Sequence, residues 1–334
     1  MTVRADSPAL HALIAADACF EQVATGLHFA EGPIWSRPGG FLLFTDIPAS
    51  TIWQLDATGT SVWRSDTNMA NGLALDREGR VVACEAATSV LSRFEHDGSR
   101  TVLATAWQGR ELNSPNDVVV APDGSIFCTD PWYGRMPVYG VERERELDVC
   151  GVFRIALGGE LQLVADDFGM PNGLCCSPDG ALLYVNDTER AHIRAFAVRA
   201  DGSIGAGRLF AEGIGTGSFE TGLVDGMKCD EHGNLWATSY SGIWVVAPDG
   251  EVLGVVRTPE FVANIAFGGA GWDELYLTAT HGLYRLRTRT RSARVPHVVH
   301  AQLQGIAEGL RARLDALRVT IRLDDTPGGA AQAM

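Results

Sequence analysis

The chain has 334 residues, 46% hydrophobic and 20% charged, a composition that fits a soluble globular protein and excludes disorder. Its formal net charge of −14 argues against a nucleic-acid partner, which would need a basic face. No apolar run approaches the ~20 residues a membrane helix needs, and the N-terminal 22 residues lack the basic start and unbroken apolar core of a signal peptide.

In chain order, the first strand-like segment is FEQVATGL (Phe20–Leu27). Six related segments follow, beginning at Glu31 (EGPIWSRPGGFLLFTD), Asn71 (NGLALDREGRVVACEA), Asn116 (NDVVVAPDGSIFCTDP), Asn172 (NGLCCSPDGALLYVND), Asp225 (DGMKCDEHGNLWATSY) and Asn264 (NIAFGGAGWDELYLTA). Each opens on an oxygen-bearing residue and continues as a short apolar strand, a glycine turn and a second β-rich strand. The turn glycine stands eight residues after the lead in five repeats, at Gly39, Gly79, Gly124, Gly180 and Gly233, and seven after it at Gly271. Leads recur every 39 to 56 residues, a spacing that predicts an all-β, six-bladed propeller of four-stranded blades with variable outer loops. Phe20–Leu27 is then expected to supply the outer strand of the last blade and close the ring.

The third repeat carries a long insertion, PWYGRMPVYGVERERELDVCG, placed to form a lid. The propeller is expected to span residues 1–287, N-terminal extension included. Beyond it, over 288–334, Leu303, Ile306, Leu310, Leu314 and Leu317 recur at helical spacing and predict an amphipathic helix before a loose tail. That helix is expected to pack on the propeller or to join two chains as a homo-oligomer. The seven cysteines are odd in number, have no metal-binding spacing and mostly lie in apolar runs. They read as buried free thiols of a cytoplasmic protein.

In a propeller the first strand of each blade lines the central channel, so the six lead residues form one ring: Glu31, Asn71, Asn116, Asn172, Asp225 and Asn264. Asn-Gly and Asp-Gly are also ordinary turn dipeptides. Here, however, the turn glycine is already supplied later, and the lead keeps its oxygen even before Asp117 and Ile265. Two carboxylates and four amides without His or Cys suit one hard divalent cation. Hairpin geometry returns the residue fourteen or fifteen positions on to the same mouth, which places Asp46, Glu85, Asp130 and Asp187 there, with Asp187 the first candidate to touch substrate.

At FAEGPIW (Phe29–Trp35), LNSPNDVVVAPDGSIFCTDPWYG (Leu112–Gly134), MPNGLCCSPDGALLYVNDT (Met170–Thr188) and VDGMKCDEHGNLWAT (Val224–Thr238), the chain resembles the SMP-30, gluconolactonase and luciferin-regenerating-enzyme family, most closely its bacterial gluconolactonase branch. The resemblance implies metal ligands at Glu31, Asn172 and Asp225, with Asn116 as a further ligand or substrate contact, and Asp225 as general base. It leaves Ca²⁺, Zn²⁺, Mn²⁺, Mg²⁺ or Fe²⁺ as the metal, with Ca²⁺ favoured by the oxygen ring. Asn113 belongs to the same SPND motif and is expected near substrate, as are Trp132, Tyr133 and Arg135 of the lid. Glu111 departs from the pattern, because similar sequences often carry arginine there.

The expected activity is hydrolysis of a sugar-type lactone, with the metal polarising the carbonyl and activating water. No GxSxG elbow is present and no histidine falls on the ring, which disfavours a covalent triad. His281 is the histidine best placed to reach the metal-bearing mouth. Two other readings stand beside this one: a phosphotriester hydrolase of the same fold, and a metal-stabilised binding propeller without turnover.

Overall fold

Short apolar strands separated by glycine turns pair with their nearest neighbours in sequence, and the computed structural model shows the result blade by blade; it describes residues 4–5, 7–36, 39–215 and 223–293. Blade 1 runs outward through Ala30–Ser36, Phe41–Asp46, Thr51–Asp56 and Gly59–Arg64. Blades 2, 3 and 4 repeat this antiparallel order from Ala70–Leu75 to Arg100–Ala104, from Val118–Val120 to Leu161–Phe168, and from Pro171–Cys176 to Arg208–Glu212. Blade 5 extends from Met227–Cys229 to Val252–Arg257 and gains a short fifth strand, Arg4–Ala5.

Blade 6 is built from both ends of the propeller. Val262–Gly268, Glu274–Ala279 and Gly282–Arg287 are covered by Glu21–Thr25, which pairs Glu21 with Arg285 and Thr25 with Gly282. The predicted closure is thus realised, and blade 6 keeps no free edge on that side. Between closure and blade 5 lies a short 3-10 helix, Pro8–Ala12. It drives Leu10, Leu13 and Ile14 into one cluster with Trp236 and Ile243 of blade 5 and Ile265, Phe267 and Leu275 of blade 6. Trp236 is fully buried there, edge-on to Phe267 at 5.7 Å between ring centres, with its indole N–H on Asp230 Oδ2 at 3.1 Å.

The chain stays on the propeller past Arg287. Arg289 N–H donates to Leu13 O at 2.7 Å, and Ser292 bridges to Asp230. The helix expected at 303–317, and the oligomer contact expected through it, lie outside the described residues. All seven cysteines are free thiols; six are buried and Cys19 is exposed. No helix among the described residues is long and apolar enough to cross a membrane.

Candidate metal and substrate site

The lead residues stand where the inner strands are locally broken. In blades 1, 2, 4 and 6 the register between first and second strand shifts at or next to the lead, between Glu31 and Ile34, Ala70 and Leu73, Pro171 and Leu174, and Val262 and Asn264. Such an irregularity re-aims a side chain, and here it turns the lead toward the axis. In blades 3 and 5 the regular strand begins only after Asn116 and Asp225.

Neighbouring blades are stitched together at the same level. Thr45 Oγ1 donates to Asn71 O at 3.1 Å, Gly72 N–H to Asn116 O at 2.8 Å and Thr129 Oγ1 to Asn172 O at 2.7 Å. Asn186 Nδ2 donates to Asp225 O at 2.5 Å, and Gly226 N–H to Ala263 O at 2.8 Å. The belt closes through a side chain, with Asn264 Nδ2 donating to Glu31 Oε2 at 3.0 Å. The glycine after the lead is therefore not a turn residue. A methyl group on Gly32 would sit 2.1 Å from Asn71 O, and one on Gly173 2.2 Å from Asp225 O, distances no Cβ tolerates.

Above the ring lies a cavity of about 500 Å³. Glu31, Asn71, Asn116, Asn172 and Asp225 line its floor, while Asn264 stands behind Glu31. Glu31 accepts from Gly32 N–H as well as from Asn264, and burial together with the charge of Asp117 pushes its carboxyl up to about 7. Asp225 is likewise held well above the ordinary carboxylate range by burial and by Glu31 and Asp117, with Asn172 opposing. Two buried acids raised in this way, Glu31 by Asp117 and Asp225 by Glu31 and Asp117, stand among amide oxygens, a donor set that fits a hard divalent cation.

Tyr133, from the 3-10 turn Tyr133–Arg135 of the lid, enters the cavity with its hydroxyl beside Thr188 and Asn172. Five other residues considered for substrate contact are held elsewhere. Asp187 is fully buried and accepts backbone N–H groups of Gly169 (2.7 Å), Met170 (3.0 Å), Glu189 (3.1 Å) and Arg190 (3.2 Å). Asn113 donates from Nδ2 to Asp130 O (3.1 Å) and Val149 O (2.8 Å) and does not line the cavity. Glu111 lies at the root of the lid, bound to the buried Arg135 at 2.7 Å. Arg135 also reaches Asn113 O (2.6 Å) and Leu112 O (2.7 Å), so it anchors the lid instead of clamping a ligand. Trp132 packs outside the cavity, under the Arg145 guanidinium.

The other acids of the mouth behave like Asp187. Asp46 caps His28 N–H and Phe29 N–H, both at 3.0 Å, and Asp130 caps Asn113 N–H (2.8 Å) and Ser114 N–H (2.7 Å). Glu85 is taken by Arg100, Ser92, Asn68 and Thr88. In five of the six blades it is the next residue that faces the cavity: Ile47, Ala86, Thr188, Tyr240 and Thr280. Strand alternation explains the shift, since adjacent side chains point to opposite sides. The remaining wall, absent from the sequence-based expectation, comes from just before the leads. Phe29 meets Tyr139 edge-on at 5.2 Å, and Phe261 stacks with Tyr240 at 5.6 Å. His281 reaches the rim as expected, with its ring Nδ1 3.2 Å from Leu27 O and its N–H on Glu260 Oε2 at 3.2 Å.

A six-bladed propeller with a carboxylate–amide ring under an aromatic-walled cavity defines the class of this molecule. The chain belongs to the SMP-30/Gluconolactonase/LRE-like family, whose region matches residues 29–281. It is 31% identical to a gluconolactonase of Zymomonas mobilis, over 85% of either chain. It is also 31% identical to a pentonolactonase of Haloferax volcanii, over 78% of this chain and 84% of that one. Among solved structures, a gluconolactonase from Xanthomonas campestris superposes with a TM-score of 0.78 at 34% identity, covering 86% of this chain and 95% of that one.

Proposed function

We propose that this chain hydrolyses a neutral, polyhydroxylated sugar lactone in the axial cavity, with one divalent cation, Ca²⁺ first among the candidates, held by Glu31, Asn172 and Asp225 and with Asn116 beside it. The observation that carries the reading is the Glu31–Asp225 pair, two acids buried on the cavity floor among the amides of Asn116 and Asn172 and both raised by burial and by Asp117. The relatives named for gluconolactone and pentonolactone supply the substrate class. No arginine or lysine is found among the described lining residues, which suits an uncharged substrate better than an anionic one.

A cation held by Glu31, Asn172 and Asp225 would supply Lewis acidity, toward an ester carbonyl and toward a water molecule. Asp225 would take the proton of the attacking water, which the cation makes acidic enough for a metal-bound carboxylate to accept it. Asn116, Asn172 and Tyr133 orient the lactone by hydrogen bonding. The Phe29, Tyr139, Tyr240 and Phe261 wall takes the apolar face of the sugar ring and keeps bulk water out.

The test compares rates, by pH indicator and corrected for spontaneous opening, on gluconolactone, xylonolactone, a long-chain acyl-homoserine lactone and a fluorophosphate, with and without added divalent cation. The aldonolactones are expected to be opened fastest, and only with the cation present. A fluorophosphate turned over tenfold faster would assign the site to phosphotriesters. No turnover of any of the four by metal-replete protein would leave a binding propeller.

A further inference from the structure

The axial channel has a second mouth, at the far end of the inner strands, and its lining is the opposite of the first. A cavity of about 190 Å³ lies there, a few residues past the lead in each strand. All six blades give it apolar wall, through Trp35, Leu75, Val120, Cys176, Cys229 and Phe267 among others. The one charged side chain among the described lining residues is Lys228 of blade 5, the only lysine in the chain. Soluble proteins rarely leave a contiguous apolar surface bare, and a concave one framed by six strands marks a docking site.

The path of the chain after blade 6 says what docks. Past Arg287 the backbone crosses this same face: Glu231 N–H donates to Arg291 O at 2.8 Å, Ser292 N–H to Trp272 O at 3.0 Å and Ala293 N–H to Cys229 O at 3.1 Å. Trp272, Ser292 and Ala293 complete the cavity wall, and Ala293 is the last described residue. The sequence therefore continues from the rim of the cavity, as Arg294, Val295, Pro296, His297, Val298 and Val299, with the apolar positions from Leu303 to Leu317 beyond. An extended chain advances by about 3.3–3.6 Å per residue, so Val295, Val298 and Val299 all lie within about 20 Å of Ala293. A tether that short gives the chain's own valines an effective concentration at the mouth that a second copy cannot match.

We propose that the chain's own segment 294–317, led by Val295, Val298 and Val299, covers the far mouth, so that the channel is entered only from the side of the lead ring. The inference does not depend on a metal in that ring or on turnover. Lys228 is a built-in reporter, because amine chemistry modifies only it and the N-terminus. Reductive methylation with formaldehyde is timed on the folded protein and read by peptide mass spectrometry, with the N-terminal amine as internal reference. In the wild-type chain Lys228 is expected to react about tenfold or more slowly than in a Val298→Asp, Val299→Asp variant, whose charges cannot enter the apolar cavity, and than in a chain ending at Ala293. Equal Lys228 rates in all three overturn the inference. A faster rate in the shortened chain alone overturns the assignment to the valines. Protection that fades on dilution of the wild-type protein, with a dimer in light scattering, overturns it as well, since a second copy is then the cover. If the shortened chain does not fold, the full-length double variant decides: with the circular dichroism of an intact propeller, a tenfold faster Lys228 upholds the docking and an unchanged rate refutes it.

Discussion

Loss of Glu31 and loss of Asp225 have different expected costs, although both remove one carboxylate from the ring. Glu31→Gln keeps an oxygen donor and is expected to weaken metal binding at least tenfold by calorimetry, with turnover largely restored at saturating metal. Asp225→Asn removes the proposed base as well, so a rate loss of about 10²-fold or more should persist at saturation. Asn71→Ala, which removes an amide from the floor but no ligand of the proposed set, should be milder than either. Equal loss in all three would refute this division of roles. The same pair makes a pH prediction for the metal-free protein. Glu31 releases its proton near 7 in the folded chain and near 4.5 in the unfolded one, and Asp225 is displaced in the same direction. Between those values the unfolded chain sheds protons that the folded chain keeps, so this contribution favours unfolding increasingly as pH rises. The melting temperature without metal should therefore fall between about pH 4.5 and 7 relative to a Glu31→Gln, Asp225→Asn double variant. Saturating divalent cation should remove that difference.

At the scale of strands, the glycine after four of the leads and the acid at the end of the second strand in blades 1 to 4 carry the geometry. Gly173→Ala would push a methyl group into Asp225 O, and it is expected to lower metal affinity while circular dichroism still reports an intact propeller. Asp187→Ala is expected to cost about 2–3 kcal/mol in denaturant unfolding, because it strips a buried acceptor from four backbone N–H groups, and to leave KM unchanged. A changed KM would place Asp187 at substrate after all. These elements also show what could be read from sequence. The repeats, the ring of six leads and the closing strand were legible because one residue type recurs in phase with one turn glycine. The acids after the second strand were legible by position and misassigned by role, since spacing alone does not say which neighbour turns inward and which caps backbone. The aromatic wall was not legible: Phe29 and Phe261 come from different blades and share one cavity only because the ring of blades brings them to one axis.

For the molecule as a whole, closure of the ring is the largest single dependence. Deleting residues 1–25 removes Glu21–Thr25 from blade 6 and withdraws Leu10, Leu13, Ile14 and Phe20 from their cluster. It should bare a strand edge and give an aggregating protein with no cooperative melt. Deleting residues 1–6 removes the two-residue strand Arg4–Ala5 beside blade 5 and should lower the melting temperature by a few degrees at most. Comparable behaviour of the two truncations would show that closure is not what holds the ring.

Closure by Glu21–Thr25 also imposes an order of events during synthesis. Glu21–Thr25 leaves the ribosome early and must wait, unpaired, until Gly282–Arg287 has been made, and Glu31 must wait for Asn264. The four main strands of each of blades 1 to 5 can form as they emerge, each set from a contiguous stretch of chain, but the ring of lead residues is complete only when the two ends meet. A ribosome-bound chain stalled before residue 260 should therefore show protease-resistant blades and no high-affinity cation binding, which would arise in a single step once blade 6 is released.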